Sequence, residues 1–277
     1  MASSPLISTA AAAALLDDPL VRFADCRWYL GEPDLGPAAY AEGHIPGAVF
    51  IDLDRDLSSH PGPGRHPLPD REEFASRMAS LGIGERHRVI AYDDRGGAIA
   101  ARLWWMLRWI GHSNVRVLDG GLTAWRTEGL AETTSVPDVD PTTLSIREPL
   151  TTQIDREALA ARLGSVRVLD ARAPERYRGD EEPIDPVGGH VPTALNRPYE
   201  ATLGPDERFL PAAVLAAQFG PSDEETIVYC GSGVTACHDI VAMISAGLPE
   251  PTLYPGSWSD WSSSDQPVAT GPEPGTP

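Results

Sequence analysis

The chain has 277 residues, 42% hydrophobic and 22% charged, enough for one large or two modest domains that each bury a core. Its formal charge is −18 and all 22 basic residues are arginine. Such acidity argues against nucleic-acid binding, and the lack of lysine excludes Schiff-base chemistry and a P-loop.

In chain order, the first feature is Thr9 to Leu16, a run of alanines closed by two leucines. No basic residue precedes it and it leads straight into Asp17-Asp18, so a first helix capped near Ser8 or Thr9 is expected rather than a signal peptide. No apolar run reaches the roughly 18 residues of a membrane span, and no membrane partner is expected. Next come Phe23-Ala24-Asp25-Cys26-Arg27, Gly43-His44-Ile45-Pro46-Gly47-Ala48, Val89-Ile90-Ala91-Tyr92-Asp93, and Leu118-Asp119-Gly120-Gly121 followed by Trp125. An amphipathic helix is expected from Ala98 to Ile110. Glu132 to Leu150, rich in Thr, Pro and Asp without apolar periodicity, reads as a connector.

The second half repeats the first. Val168-Leu169-Asp170-Ala171-Arg172, Gly189-His190-Val191-Pro192-Thr193-Ala194, Thr226-Ile227-Val228-Tyr229-Cys230, and Leu253-Tyr254-Pro255-Gly256 followed by Trp261 take up the same four blocks in the same order. Such a repeat marks a duplication. Short apolar strands alternating with helices predict an α/β fold: two tandem domains, each a mainly parallel sheet flanked by helices. The boundaries expected are 1–131, a linker at 132–150, 151–270, and a disordered tail at 271–277. The histidines of the repeated Gly-His blocks, each held in a turn before a strand, are expected to be structural.

The most informative stretch is Tyr229-Cys230-Gly231-Ser232-Gly233-Val234-Thr235-Ala236. A buried strand, Thr226 to Tyr229, precedes it, and a helix follows from Val234 to Ala246 with Gly247 as its stop. A cysteine thus sits on a glycine-bearing turn at a helix N-terminus. Gly231 and Gly233 let successive N–H groups, on into Val234 and Thr235, face one concavity, which with the helix dipole stabilises a thiolate and an anionic substrate. A lone cysteine before a helix is more often a buried structural residue; the two glycines and Ser232 favour the nucleophile here. In the first half the equivalent position is Asp93, so only one half can carry sulfur chemistry. Cys26, Cys230 and Cys237 are too few and too odd in number for a disulfide scaffold, and fit a reducing compartment, the cytoplasm. Cys237, two helical turns beyond Cys230, is expected to pack in the core. No Cys/His spacing suits zinc, and no metal or other cofactor is expected.

Cys230-Gly231-Ser232-Gly233-Val234-Thr235-Ala236 resembles the active-site loop of the mercaptopyruvate sulfurtransferases, relatives of the two-domain rhodaneses (thiosulfate sulfurtransferases), and the repeat extends the likeness over nearly the whole chain. The resemblance implies an enzyme in which Cys230 takes sulfane sulfur from a small anionic donor, 3-mercaptopyruvate or thiosulfate. The persulfide then passes it to cyanide or to a thiol acceptor such as a small thiol or a thioredoxin-like protein. It implies an inactive first copy that lends residues to a shared cleft. Glu175-Arg176-Tyr177-Arg178-Gly179 resembles the family's Arg-aromatic-x-Gly motif, which implies that Arg176 binds the donor carboxylate with Arg178 beside it. Asp54 and His66 match the family's aspartate and histidine, and with Ser232 would relay a proton. Thiosulfate-preferring members carry basic residues after the cysteine; the neutral Gly231-Ser232-Gly233 here is associated with mercaptopyruvate. The family's second arginine is missing from Asp180 to Pro186, which weakens that preference.

Two competing readings fare worse. A cysteine phosphatase needs Cys-x5-Arg, and the sixth residue after Cys230 is Ala236. A catalytically silent rhodanese-like interaction module would not need Cys230, both loop glycines and Arg176 intact.

Overall fold

The computed structural model of the protein describes residues 4–221 and 223–277. The chain divides into two compact units. One runs to Ser59 and takes in Pro69–Leu150 and Leu203–Phe209; the other comprises His60–Leu68, Thr151–Thr202 and Leu210–Pro277. Two short segments are therefore assigned across the boundaries read from sequence.

Among the described residues the first unit holds a five-stranded sheet: β1 (Leu6–Ile7), β2 (Val21–Asp25), β3 (Val49–Phe50), β4 (Arg88–Tyr92) and β5 (Val115–Leu118). All neighbours are parallel in the order β1-β5-β4-β2-β3. Parallel sheets are covered on both faces, which is why β4 reads as an unbroken apolar run from Val89 to Tyr92. Ser8 caps the first helix, Thr9–Ala13, by accepting from the Ala11 N–H. The helix Ala100–Trp109, expected to be amphipathic, is buried at every position except Arg108. A helix apolar nearly all round belongs inside. Phe23, Ile90, Tyr92, Leu118 and Trp125 form a core cluster of this unit.

The second unit repeats the plan with β6 (Arg167–Asp170), β7 (Leu195–Asn196), β8 (Thr226–Tyr229) and β9 (Thr252–Leu253), all parallel in the order β7-β6-β8-β9. Val168, Ile227, Tyr229, Trp258 and Trp261 lie at its core.

The repeated blocks are tie points. Asp25 and Arg27 form a buried ion pair at 2.6 Å, and Asp170 and Arg172 one at 2.7 Å. In both, the aspartate also accepts the arginine's own backbone N–H, and the guanidinium reaches on to the carbonyl of the glycine that opens the Gly-His block. The following histidine, His44 or His190, is fully buried. Its Nδ1 lies 2.8 Å from the carbonyl of Tyr40 or Tyr177, on whose ring it stacks. Buried polar groups are tolerated when each finds a partner, so these histidines belong to the scaffold.

Two segments depart from expectation. The stretch Glu132 to Leu150 is an extended strap belonging to the first unit: Thr142 donates to Ala79, Arg147 to Ile110 and Leu150 to Arg108 through backbone N–H groups. The tail, expected to be disordered, is also tied down, since the carbonyls of Glu273 and Pro274 meet His190 Nε2 at 3.1 Å and the Thr193 N–H at 2.6 Å. Both segments lack periodicity because their backbone groups, not apolar side chains, make the attachments.

Candidate functional site

Strand β8 ends at Tyr229 and the helix Thr235–Ser245 begins five residues past Cys230, so the intervening turn is short and constrained. Gly233 has φ +74°, and a Cβ there would collide with the Pro255 carbonyl, so glycine is required on both counts. The loop is fastened along its length. Carbonyls of Cys230 and Gly231 accept from the N–H groups of Trp258 and Ser259, each at 2.9 Å, and the Cys230 N–H donates to Ser257 Oγ at 3.1 Å. Ser257 itself takes a left-handed φ of +55° and donates its hydroxyl to Tyr254, a strained residue held by its neighbours. Cys230 is 2% exposed at the head of this turn.

What the turn offers is legible from its counterpart. In the first unit Asp93, at the position equivalent to Cys230, accepts four backbone hydrogen bonds: from Arg95 at 2.9 Å and from Gly97, Ile99 and Ala100 at 2.8 Å each. Burial pushes this carboxyl up, and the four amides offset only part of that rise. In the second unit the turn is two residues shorter, its helix beginning at Thr235, and it carries the amides of Ser232, Val234 and Ala236. Among the described residues the N–H groups of those three donate to no protein acceptor. One backbone design thus seats a carboxylate in one half and leaves its donors to an incoming anion in the other.

Ser232 is 7% exposed and His66 4%, and Ser232 Oγ lies 2.8 Å from His66 Nδ1. This pairing, made within the second unit, joins two residues that are far apart in sequence. Asp54 lies in the first unit, where Oδ2 accepts from Trp28 Nε1 at 2.7 Å.

Arg176 stands midway along the short helix Pro174–Arg178 and is engaged by two acids: Nη2 lies 2.7 Å from Glu182 Oε1 and 3.0 Å from Asp185 Oδ2. Arg178 is occupied elsewhere, its Nε on Asp180 at 2.6 Å. Sequence reasoning missed Arg65, whose Nη1 binds Asp185 Oδ1 at 2.7 Å and whose N–H donates to Ser259 Oγ at 2.9 Å. A Cβ placed on Gly231 would stand 3.0 Å from Arg65 Nη2 and 3.4 Å from Arg176 Nη1. The tripeptide Gly231-Ser232-Gly233 is neutral, yet fixed cations do border it. The available signal was Arg65's place next to His66 in a chain poor in cations.

The other two cysteines are differently placed. Cys237 is fully buried and its thiol donates to the Gly233 carbonyl at 3.4 Å. Cys26 is fully buried in the first unit, where burial and then the charge of Asp93 push its thiol up. Sequence reasoning also passed over Asp239, a buried carboxyl in the helix Thr235–Ser245, pushed up by burial and then by negative charge on Cys230. No described helix is long and apolar enough to cross a membrane.

Comparison with known proteins agrees with this geometry. Residues 8–128 and 155–264 each match the model of the rhodanese-like domain. The chain is 44% identical to the probable 3-mercaptopyruvate sulfurtransferase of Pseudomonas aeruginosa, covering 98% of this chain and all of that one. It is 43% identical to the putative thiosulfate sulfurtransferase SseB of Mycobacterium tuberculosis, covering 96% and 97% of the two chains. Among solved structures, that of the 3-mercaptopyruvate sulfotransferase SseA from Escherichia coli superposes with a TM-score of 0.82 at 32% identity, over 93% of this chain and 100% of that one.

Proposed function

The chain belongs to the rhodanese family, and from that premise we propose that it is a sulfurtransferase drawing sulfane sulfur from 3-mercaptopyruvate or thiosulfate through a persulfide on Cys230. The observation that carries the assignment to Cys230 is its place at the head of a strand-to-helix turn in which the N–H groups of Ser232, Val234 and Ala236 donate to no acceptor among the described residues, where the turn after Asp93 spends its amides on a carboxylate. In the first half-reaction the Cys230 thiolate attacks the donor's outer sulfur. A sulfur–sulfur bond forms, and the donor's bond to that sulfur breaks with its electron pair leaving on the departing fragment. From thiosulfate that fragment is sulfite. From mercaptopyruvate it is the enolate of pyruvate, which must take up a proton. In the second half-reaction an acceptor thiolate attacks the outer sulfur and returns Cys230 as thiolate.

The Ser232–His66 pair supplies the proton path to the enolate. Because sulfite leaves without a proton, Ser232→Ala is expected to lower kcat with mercaptopyruvate by roughly tenfold or more while leaving thiosulfate turnover within a few-fold. Equal losses with both donors would remove the proton role. The loop amides of Gly231, Gly233, Val234 and Thr235 hold the anion, and Arg176, with Arg178 as its neighbour, binds the donor's charged end. Arg176→Lys should raise KM markedly, with about 2–3 kcal/mol lost from kcat/KM, because a single ammonium cannot replace a planar fork. An unaltered KM would reduce Arg176 to a structural residue.

Asp93 makes the first half non-catalytic. The acceptor is a small thiol or a thioredoxin-like protein, and three free cysteines support a reducing compartment, the cytoplasm. Activity with both donors is expected, with higher kcat/KM for mercaptopyruvate. Steady-state rates with the two donors side by side test this: a tenfold preference for thiosulfate would overturn the donor assignment and leave Cys230 standing.

A further inference from the structure

We propose that Asp239 is a positioning residue for the sulfur chemistry: a neutral carboxylic acid, sealed into the helix behind the nucleophile, that leaves the site's one negative charge to Cys230. The inference rests on the proposal that Cys230 is the nucleophile. Asp239 opens the second turn of the helix Thr235–Ser245 and is fully buried. Neither of its carboxyl oxygens has a hydrogen-bond partner among the described residues. Other buried carboxylates of this unit are held, Asp170 by Arg172 and Asp260 by Arg156 and Tyr254. Burying an unpartnered polar group is costly and burying an unpartnered charge far more so, which keeps the proton on Asp239.

The helix packs on β8, on the turn Tyr199–Thr202 and on the helix Ala212–Phe219. Strand β8 ends at Tyr229 and leads into Cys230; the turn carries Tyr199 and an exposed Glu200, and the helix Ala212–Phe219 has no ionisable side chain. His238 stands beside Asp239 on its own helix, edge-on to Tyr199. The charges that Asp239 feels are those of Cys230, Asp170 and Arg197. Asp170 is neutralised by Arg172, and Arg197 spends Nη1 on the Asn196 carbonyl at 2.7 Å and makes no ion pair with Asp239. Cys230, by contrast, heads a turn with amides to offer an anion. Burial pushes the Asp239 carboxyl up, and negative charge on Cys230 pushes it further. The first unit makes the same division with the residue types exchanged. There the carboxylate of Asp93 takes the amides, and the buried acid pushed up by burial and then by that anion is the Cys26 thiol. Each turn is fitted for one anion and accompanied by one buried acid that yields to it.

While Asp239 holds its proton, an anionic donor meets only the charge on Cys230; once Asp239 ionises, a second buried anion repels the donor. Sulfur loading should therefore fall at alkaline pH. Few other groups can cause such a fall, since the chain has no lysine and burial pushes Tyr177, Tyr229 and Tyr254 up. The test is the second-order rate of persulfide formation from thiosulfate, followed by mass from neutral to alkaline pH so that no acceptor titrates. In the wild type this rate should drop by about tenfold or more. Asp239→Asn has the shape of the neutral acid and cannot ionise, so its rate should stay within about threefold over the same range. Alkylation of Cys230 by uncharged iodoacetamide should not decline on the alkaline side in either protein, because the thiolate itself persists. The same alkaline fall in both proteins, or a fall that alkylation shares, overturns the inference. So does an alkylation profile moved to lower pH in Asp239→Asn, which would mean that Asp239 is charged before Cys230 is. Should Asp239→Asn fail to fold, Asp239→Thr, also neutral and of similar volume, carries the same expectations. Intact-mass analysis of donor-treated wild type keeps the two proposals apart. Failure of Cys230 to gain sulfur removes the function proposed above, whereas normal loading with coincident pH profiles removes only the role of Asp239.

Discussion

Cys230→Ser is expected to abolish sulfur transfer with every donor, while Cys26→Ser and Cys237→Ser retain most of it. A serine hydroxyl neither ionises at neutral pH nor carries sulfane sulfur, so no residual path remains through that position. The contrast follows from where the three sulfurs sit. Cys26 lies in the first unit with its thiol held protonated by burial and by Asp93. Cys237 directs its thiol at the Gly233 carbonyl. Cys230 stands at the turn where the N–H groups of Ser232 and Val234 donate to no acceptor among the described residues. Protein treated with donor should gain the mass of one sulfur, removable by cyanide and mapping to the peptide that contains Cys230. A map to Cys26 or Cys237 would sink the assignment.

The second large effect concerns stability. Arg172→Met should cost the second unit about 3–5 kcal/mol, the usual result of removing one partner from a buried ion pair. Asp170 is fully buried and Arg172 is 2% exposed, so the remaining carboxylate would have neither water nor a counter-charge. The Gly189 carbonyl and Glu182 would lose a donor as well, and Trp258 would lose the guanidinium stacked 4.5 Å from its ring centroid. Denaturant unfolding of the variant measures the loss. The double change Asp170→Leu with Arg172→Met should recover much of it, because apolar groups of similar volume need no counter-charge. Arg27→Met should injure the first unit in the same way, through Asp25. A loss under 1 kcal/mol in both single variants would show that water or neighbouring groups compensate for the missing guanidinium.

The duplication was legible because its recurring residues are those with the least freedom: the Asp-x-Arg pair, the Gly-His turn and the strand leading to Asp93 or Cys230 each satisfy buried groups that few side chains can satisfy. The strand Thr226–Tyr229 and the helix after it were legible from β-branched and apolar spacing. Arg65 was not, since nothing local marks an arginine in a proline- and glycine-rich loop as belonging beside a cysteine far along the chain. The exchange of His60–Leu68 and Leu203–Phe209 between units escaped for the same reason, being a matter of long-range contact. The amphipathic helix expected from Ala98 to Ile110 is instead buried nearly all round, with even Arg102 fully buried. Composition misled at Gly231-Ser232-Gly233, where charge was counted along the sequence although electrostatics acts through space.

Asp93 carries a consequence for how the two halves respond to their surroundings. An anion fixed by the backbone is present at its amides at an effective concentration that no dissolved ion approaches. Chloride, phosphate or sulfite in the medium cannot compete for the first unit's turn, which is saturated from the moment the chain folds. The turn after Cys230 has no such tethered occupant, so sensitivity to ambient anions should reside wholly in the second unit. Duplication has thereby left one chain with two copies of a receptor, one filled by its own side chain and one built to take an anion from outside.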